Sequence, residues 1–524
     1  MPIRMEQDDP RDQRPRPSGP GGGGGGNLLK WLPLVLFFVF RKPKLLIPIL
    51  IAGAVWYFFL GGEQMFSGSL EPEESGVDIS QFSLGASLSE ERFDKAQVFE
   101  PLAYGVSGMN TLPRRMSLQQ YAPTPLHQGN QGSCVGWASA YAARTILESR
   151  ATGKAPNEVA FSPAYLYNQI HLENCEGAYM LEAMRTMQQN GALPFREFGY
   201  DDRTCSNYPS RTDISSGQTH RIKGYNRLTI GANNYKPDIM AIKQNLAQGA
   251  PVVIGAMVGG TFMSRMLGQK VWEPSSRDYG MGGFGGHAMC VIGYDDDLQG
   301  GAFQIMNSWG QEWGDRGFCW IRYDDFEHFV KEAYGVAPMG AAGDQKFASD
   351  KMAVKFGLFD MDAESLIPLK QQADIVFRVS SPMDIGDKFK VLIANSIECY
   401  TYVLGQETDG SSYVLFPYTA KHSPYCGITG TRLFPKDYHM TPDKVGNRDF
   451  IAIVVSKKEL DVYQLNARMN ASRKNTFADK LKDALEQQRI RNTTFVDGET
   501  IAFSASLKED GRNTVGMVIK IDKK

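Results

Sequence analysis

Three side chains, far apart in the sequence, have the types that acyl-transfer chemistry needs. Cys134 stands in "QGNQGSCVGWASAYAARTIL", behind a loop rich in Gly and Gln and at the start of a run in which Trp137, Tyr141 and Ile146 fall on a helical period. A free thiol titrates near ~8.5, and a helix N-terminus or a nearby imidazole lowers that value. His287, 153 residues further on, opens a strand after the glycine turn of "GGFGGHAMCVIGYDDD". Asn307, in "QIMNSWGQEWGDRGFCWIRY", follows twenty residues later. Its amide can hold an imidazole so that the other ring nitrogen meets the thiol, and the indole of Trp309 can shield that bond from water. Cys134 alone reads more readily as a buried structural thiol. The company of His287, Asn307 and Trp309 turns the reading to a nucleophile.

With those residues in view the sequence resembles the papain-like cysteine peptidases over about residues 110–335. Several separate motifs carry the resemblance in order. "LPRRMSLQQYAPTPLHQGNQGSC" is similar to the start of a mature domain, "GGHA" to the histidine motif and "NSWGQEWGDRGF" to the asparagine motif. The cysteine-to-histidine gap is close to the family's usual ~130–150 residues. The resemblance implies a two-lobed α+β domain, one lobe helical and one β-barrel-like, with a Cys134–His287–Asn307 triad in the cleft between them. It implies an oxyanion hole from Gln128 and the backbone N–H of Cys134, and a shielding or cleft-lining place for Trp309 and Trp313. Through "ENCEGAYMLEAMRTMQQNGALPFREFGYD" it implies a substrate-pairing loop at Gly177 and Ala178, with Gly286 as an open, uncharged cleft wall. The implied substrate is a protein or peptide, with no cofactor and no metal.

The sequence departs from the family pattern in several places. Val135 follows the cysteine where the family has Trp, and Gln131 replaces the family's cysteine three positions before it. Cys175 then lacks its usual partner, and Cys205 is one candidate for the role. A long helical pro-region is missing, since residues 63–104 are too short for one.

Stepwise changes in composition divide the chain. Residues 1–26 are a Gly/Pro-rich tail expected to be disordered, ending in six consecutive glycines. Residues 27–62 read as a membrane anchor. "WLPLVLFFVF" is too short to span a bilayer, whereas the eighteen uncharged residues 45–62 form a transmembrane helix of roughly 27 Å. Arg41, Lys42 and Lys44 before it and the acidic "GGEQMFSGSLEPEE" after it predict a single pass with the N-terminus cytoplasmic and the catalytic domain periplasmic or otherwise extracytoplasmic. A linker is expected at 63–104, the papain-like domain at 105–340 and a second linker at 341–385.

From 386 to 524 the strands "KFKVLIANS", "CYTYVLGQ", "SYVLFPY" and "DFIAIVVS" predict a mainly-β C-terminal domain. One helix is expected at 476–490, capped by Asn475 and with Phe477, Leu481, Ala484 and Leu485 on one face. This region resembles a bacterial β-rich domain of unknown function and implies a docking module with a protein partner. Cys399 and Cys426 flank two of its strands and are candidates for a bridge.

The net charge of −2 gives no electrostatic case for a nucleic-acid partner. Seven scattered cysteines without a C-x-x-C pair give none for structural zinc. The expected function is a membrane-anchored bacterial cysteine endopeptidase. Two alternatives stand beside it: an inactive papain-like binding module, and a Cys-His amidase acting on cell-wall peptides.

Overall fold

A computed structural model describes residues 3–7, 78–104, 111–336, 351–507 and 511–524. The expected anchor at 27–62 lies outside them, as does most of the tail before it. Among the described residues no helix is long and apolar enough to cross a membrane.

Residues 111–336 make two layers. The first is helical. Its central helix runs through Cys134–Gly136, Trp137–Arg144 and Thr145–Thr152, with helical backbone angles across both junctions. The middle stretch has the wider π-helical register, and all eight of its residues are buried. Four of them are alanines, which lets neighbouring elements approach from every side. Pro163–Ile170 packs closest at Gly136, where a Cβ would lie 2.6 Å from the carbonyl of Pro163.

The second layer is an antiparallel sheet in the order Tyr225–Arg227, Val330–Val336, Val252–Val258, Gly285–Asp295, Ala302–Met306, Phe318–Arg322. Arg115–Ser117 joins it beside Gly285–Asp295. Ala302–Met306 is buried throughout, and its one polar residue, Gln304, is bonded to the side chains of Ser117 and Gln119. The central helix packs on Gly285–Asp295, and that contact carries Cys134 to His287.

Residues 351–522 form a sandwich of two sheets. Lys351–Asp360, Phe389–Asn395, Tyr438–Pro442 and Ile501–Ser506 belong to one; Cys399–Gln406, Arg448–Ser456 and Thr514–Asp522 belong to the other. Side-chain alternation sorts the residues of the second sheet. Ile451, Ile453 and Val455 face the inter-sheet core, while Ala452 and Val454 pack beneath the helices Val462–Ala471 and Phe477–Ala484.

The β-rich region thus starts at Lys351, inside the stretch expected as a linker over 341–385. Its first strands, including Lys351–Asp360 and Val376–Val379, bury alternate residues in the sandwich core. The expected helix at 476–490 ends at Ala484, and its cap is Thr476, whose hydroxyl accepts the N–H of Asp479, rather than Asn475.

Two further differences concern the N-terminal half. Ile3–Gln7, placed by sequence in a disordered tail, pairs antiparallel with Tyr438–Pro442, and Ile3 is buried in the sandwich core. Residues 78–104, placed in a linker, pack against residues 111–336 and, in their second half, against the C-terminal sandwich as well.

Candidate active site

Cys134, His287 and Asn307 come together where the central helix starts on the sheet. Cys134 is the first helical residue and is fully buried. Its Sγ accepts the backbone N–H of Ala288 at 3.4 Å, so the thiol lies against the strand residue next to His287. His287 Nε2 and Asn307 Oδ1 are 2.7 Å apart. The same Oδ1 accepts the N–H of Ser308 at 2.8 Å, which fixes it as an acceptor and makes Nε2 the protonated ring nitrogen. His287 Nδ1 is left unprotonated and has no hydrogen-bond partner among the described residues. Trp309 stacks on the imidazole with ring centres 4.4 Å apart, and Trp313 meets Trp309 edge-on at 5.6 Å.

Gln128 is wholly buried and tied to the same loop. Its Oε1 accepts the Ser308 hydroxyl at 2.7 Å, and its Nε2 donates to the Gln131 carbonyl at 3.0 Å. The amide carries a second N–H beyond that bond.

Burial sets the protonation of the pair. Loss of water pushes the Cys134 thiol up to about 12 and the His287 imidazole down to about 4, although the Asn307 bond favours the charged ring. Both groups are neutral in this state. An ion pair waits on water reaching the cleft.

Residues 78–104 form a strap whose first part, through Phe82–Leu88, covers the cleft. Phe82 stacks on Trp309 at 4.9 Å, and the Trp309 indole N–H donates to the Ser83 carbonyl at 3.1 Å. Gly85 and Ala86 both donate to the Gly286 carbonyl, at 3.2 and 3.1 Å. Ala178 donates to Gly85 at 2.9 Å and accepts from Ser87 at 3.0 Å, a parallel pairing.

The fit of the strap depends on small residues. A Cβ on Gly85 would lie 2.1 Å from the Gly132 carbonyl, and one on Gly286 would lie 2.0 Å from that of Ala86. Leu88 fills a hole beside Gly255 and Met180. At its edge the buried Glu332 takes the Ser89 N–H at 2.9 Å and the Tyr334 hydroxyl at 3.2 Å, and burial pushes its carboxyl up to about 7.

The structure thus brings Cys134, His287, Asn307, Gln128 and Trp309 into one cluster, with Trp313 behind the indole. Gly177, Ala178 and Gly286 line the groove in which the strap lies. Cys175 and Cys205 form a disulfide, which fixes the loop leading into Gly177. Cys399 and Cys426 are opposite one another on paired strands, both as free thiols. Sequence reasoning missed Phe82, Gly85, Leu88 and Glu332. The signal in "QFSLGASL", small residues flanked by apolar ones, was available but reads equally as a polar linker.

The family model described as papain family cysteine protease matches residues 114–338. These residues are a papain-family cysteine protease domain, and the enzyme class is cysteine-type peptidase. An uncharacterized peptidase C1-like protein of Acanthamoeba polyphaga mimivirus is 28% identical over 228 residues, 42% of this chain and 70% of that one. Cathepsin K of Mus musculus is 30% identical over 206 residues, 37% of this chain and 55% of its own length. Xylellain, a cysteine protease from Xylella fastidiosa, covers 50% of this chain and 97% of its own at 23% identity, with a TM-score of 0.40.

Proposed function

We propose that the protein is a cysteine endopeptidase that cuts peptide bonds through Cys134, His287 and Asn307, and that it is folded in a latent state. The observation that carries this reading is the 2.7 Å bond from His287 to Asn307, roofed by Trp309, beside the buried Cys134 Sγ. In the open cleft the Cys134 proton passes to His287 Nδ1, and the thiolate attacks the scissile carbonyl. The developing oxyanion takes hydrogen bonds from the Cys134 N–H and the Gln128 amide, worth about 3–4 kcal/mol per donor in well-studied sites. His287 then protonates the leaving amine and afterwards activates water to release the acyl group. Asn307 holds the ring through both steps. Peptide substrate pairs with Ala178 and Gly286, the groups that the strap now occupies.

The apolar stretch 27–62 is proposed to hold the protein to a lipid bilayer. The pairing of Ile3–Gln7 with the C-terminal sheet supports an arrangement with the N-terminus and the catalytic domain on one face.

The test is hydrolysis of a fluorogenic peptide set by the full chain carrying Gly85→Leu, whose side chain cannot seat against Gly132. Turnover is expected in that variant and none in the double variant with Cys134→Ala. A Gly85→Leu protein that binds peptides without cutting them would favour the binding-module reading. Release of amide-linked cell-wall peptides, with no cutting of ordinary peptide bonds, would favour the amidase.

A further inference from the structure

The strap continues past the cleft, and its second half belongs to two domains at once. Asp94 closes the short helix Glu90–Phe93, and its carboxylate takes bonds from Arg227 at 3.1 Å and Tyr235 at 2.8 Å on the protease side. It takes a third from Lys421 of the C-terminal domain at 2.8 Å. From there the backbone bonds alternate. Gln97 accepts from Arg227 at 2.9 Å and Phe99 donates to Arg227 at 3.0 Å, both toward the protease. Val98 between them donates to Lys421 at 2.7 Å and accepts from Ser423 at 3.0 Å, both toward the C-terminal domain. Further along, the buried Arg432 donates to the Glu100 carbonyl at 3.0 Å while also holding Asn395 and Ile428. Leu102 exchanges two bonds of 2.9 Å with the Gln244 amide of the protease, and Ala103 donates to Thr431 at 2.8 Å. The backbone of residues 97–103 thus bonds both domains, with Gln97, Phe99 and Leu102 toward the protease and Val98, Glu100 and Ala103 toward the C-terminal domain; the Gln97 side chain also donates to the Ala420 carbonyl.

We infer that the C-terminal domain is a latch: by gripping Val98, Glu100 and Ala103 it keeps residues 82–88 in the catalytic cleft, and loss of that grip opens the enzyme. The inference rests on the peptidase reading of the cleft. Within the cleft, the strap is held by a few backbone bonds and small side chains. Fixing its distal half keeps the proximal half at a high effective concentration over Cys134. A freed distal half leaves a tethered, flexible chain, and its proximal end then spends more time off the cleft. This gives the β sandwich a regulatory role that docking alone does not.

The test measures the rate at which an epoxysuccinyl probe labels Cys134 in the full chain. Val98→Pro and Ala103→Pro each remove one N–H that is donated to the C-terminal domain, to Lys421 and to Thr431. Each is expected to raise the labelling rate roughly five- to tenfold over wild type, the weight of one net hydrogen bond. Gly85→Leu, which unseats the strap directly, is the reference and is expected to label fastest. Melting curves confirm that each variant is folded, and Ala103→Pro carries the test if Val98→Pro is not. Rapid labelling of Gly85→Leu with both folded proline variants as slow as wild type would overturn the latch and leave the peptidase standing. Wild type labelling as fast as Gly85→Leu would also overturn it. No labelling of Gly85→Leu would instead remove the peptidase reading, and the latch with it.

Discussion

His287 Nε2 donates to Asn307 Oδ1 across 2.7 Å, and the N–H of Ser308 locks that oxygen in place from the other side. The bond settles the tautomer: Nδ1 is the basic nitrogen. Asn307→Ala removes the acceptor and lets the ring turn. In a Gly85→Leu background it is expected to lower kcat by about a hundredfold, the cost of a misplaced catalytic group, with little change in KM. Steady-state kinetics on a fluorogenic peptide check this. An unchanged kcat would mean that Trp309 alone orients the ring.

The strap has a titratable group at its grip. Glu100 is fully buried against the C-terminal domain, with Lys436, Asp437, Arg432, Cys426 and Tyr418 around it. Burial outweighs Lys436 and holds its carboxyl at about 8, against an ordinary value of 4.5. The docked strap therefore keeps a proton that a released strap gives up. Docking is at full strength below about 4.5 and weakens as pH rises through about 8. Probe labelling of wild type is expected to exceed that of Glu100→Gln at pH 8 and to match it at pH 5. Equal rates at both pH values would show that Glu100 does not loosen the strap.

Much of the candidate site was legible because each element reports itself locally. A cysteine opens a helix, a histidine follows glycines into a strand, and an asparagine precedes a tryptophan. The strap was not legible. Its hold depends on Gly85, Ala86 and Ser87, whose small side chains carry no periodic signal, and on hydrogen-bond partners at Ala178 and Gly286, more than 90 residues away. Ile3–Gln7 was hidden for a similar reason. Five residues beside a Gly/Pro-rich tail have no local claim to a strand, and an edge position in the C-terminal sheet supplies their partner. The onset of that domain was missed because Lys351–Asp360 has no sustained period-2 pattern: Met352–Val354 and Phe356–Phe359 are uncharged runs set between Lys351, Lys355 and Asp360.

The disulfide between Cys175 and Cys205 braces the loop ahead of Gly177. The Cys175 carbonyl accepts the N–H of Gly132 at 3.3 Å and the Tyr167 hydroxyl at 2.7 Å, which joins that loop to the start of the catalytic helix. Cys175→Ser with Cys205→Ser is expected to cost about 2–5 kcal/mol of stability. In the Gly85→Leu background it is also expected to raise KM more than it lowers kcat. Denaturant melts and kinetics measure the two effects. A change confined to kcat would place the disulfide's influence on the triad rather than on the groove.

The pairing of Ile3–Gln7 with Tyr438–Pro442 constrains topology. Tags at the N-terminus and the C-terminus are expected to show the same protease accessibility in sealed membrane vesicles. Opposite accessibility would show that this strand is undocked when the protein is on a membrane.

Cys134 is the proposed nucleophile of an acyl transfer. The most direct measurement uses the full chain with Gly85→Leu, an activated ester substrate, an acid quench during turnover and tandem mass spectrometry of the peptides. A thioester-linked acyl group is expected on Cys134 and disappears as substrate is consumed, with Cys290, Cys319, Cys399 and Cys426 unmodified. An ester turned over with no acyl group on Cys134, or with the group on another residue, would contradict it.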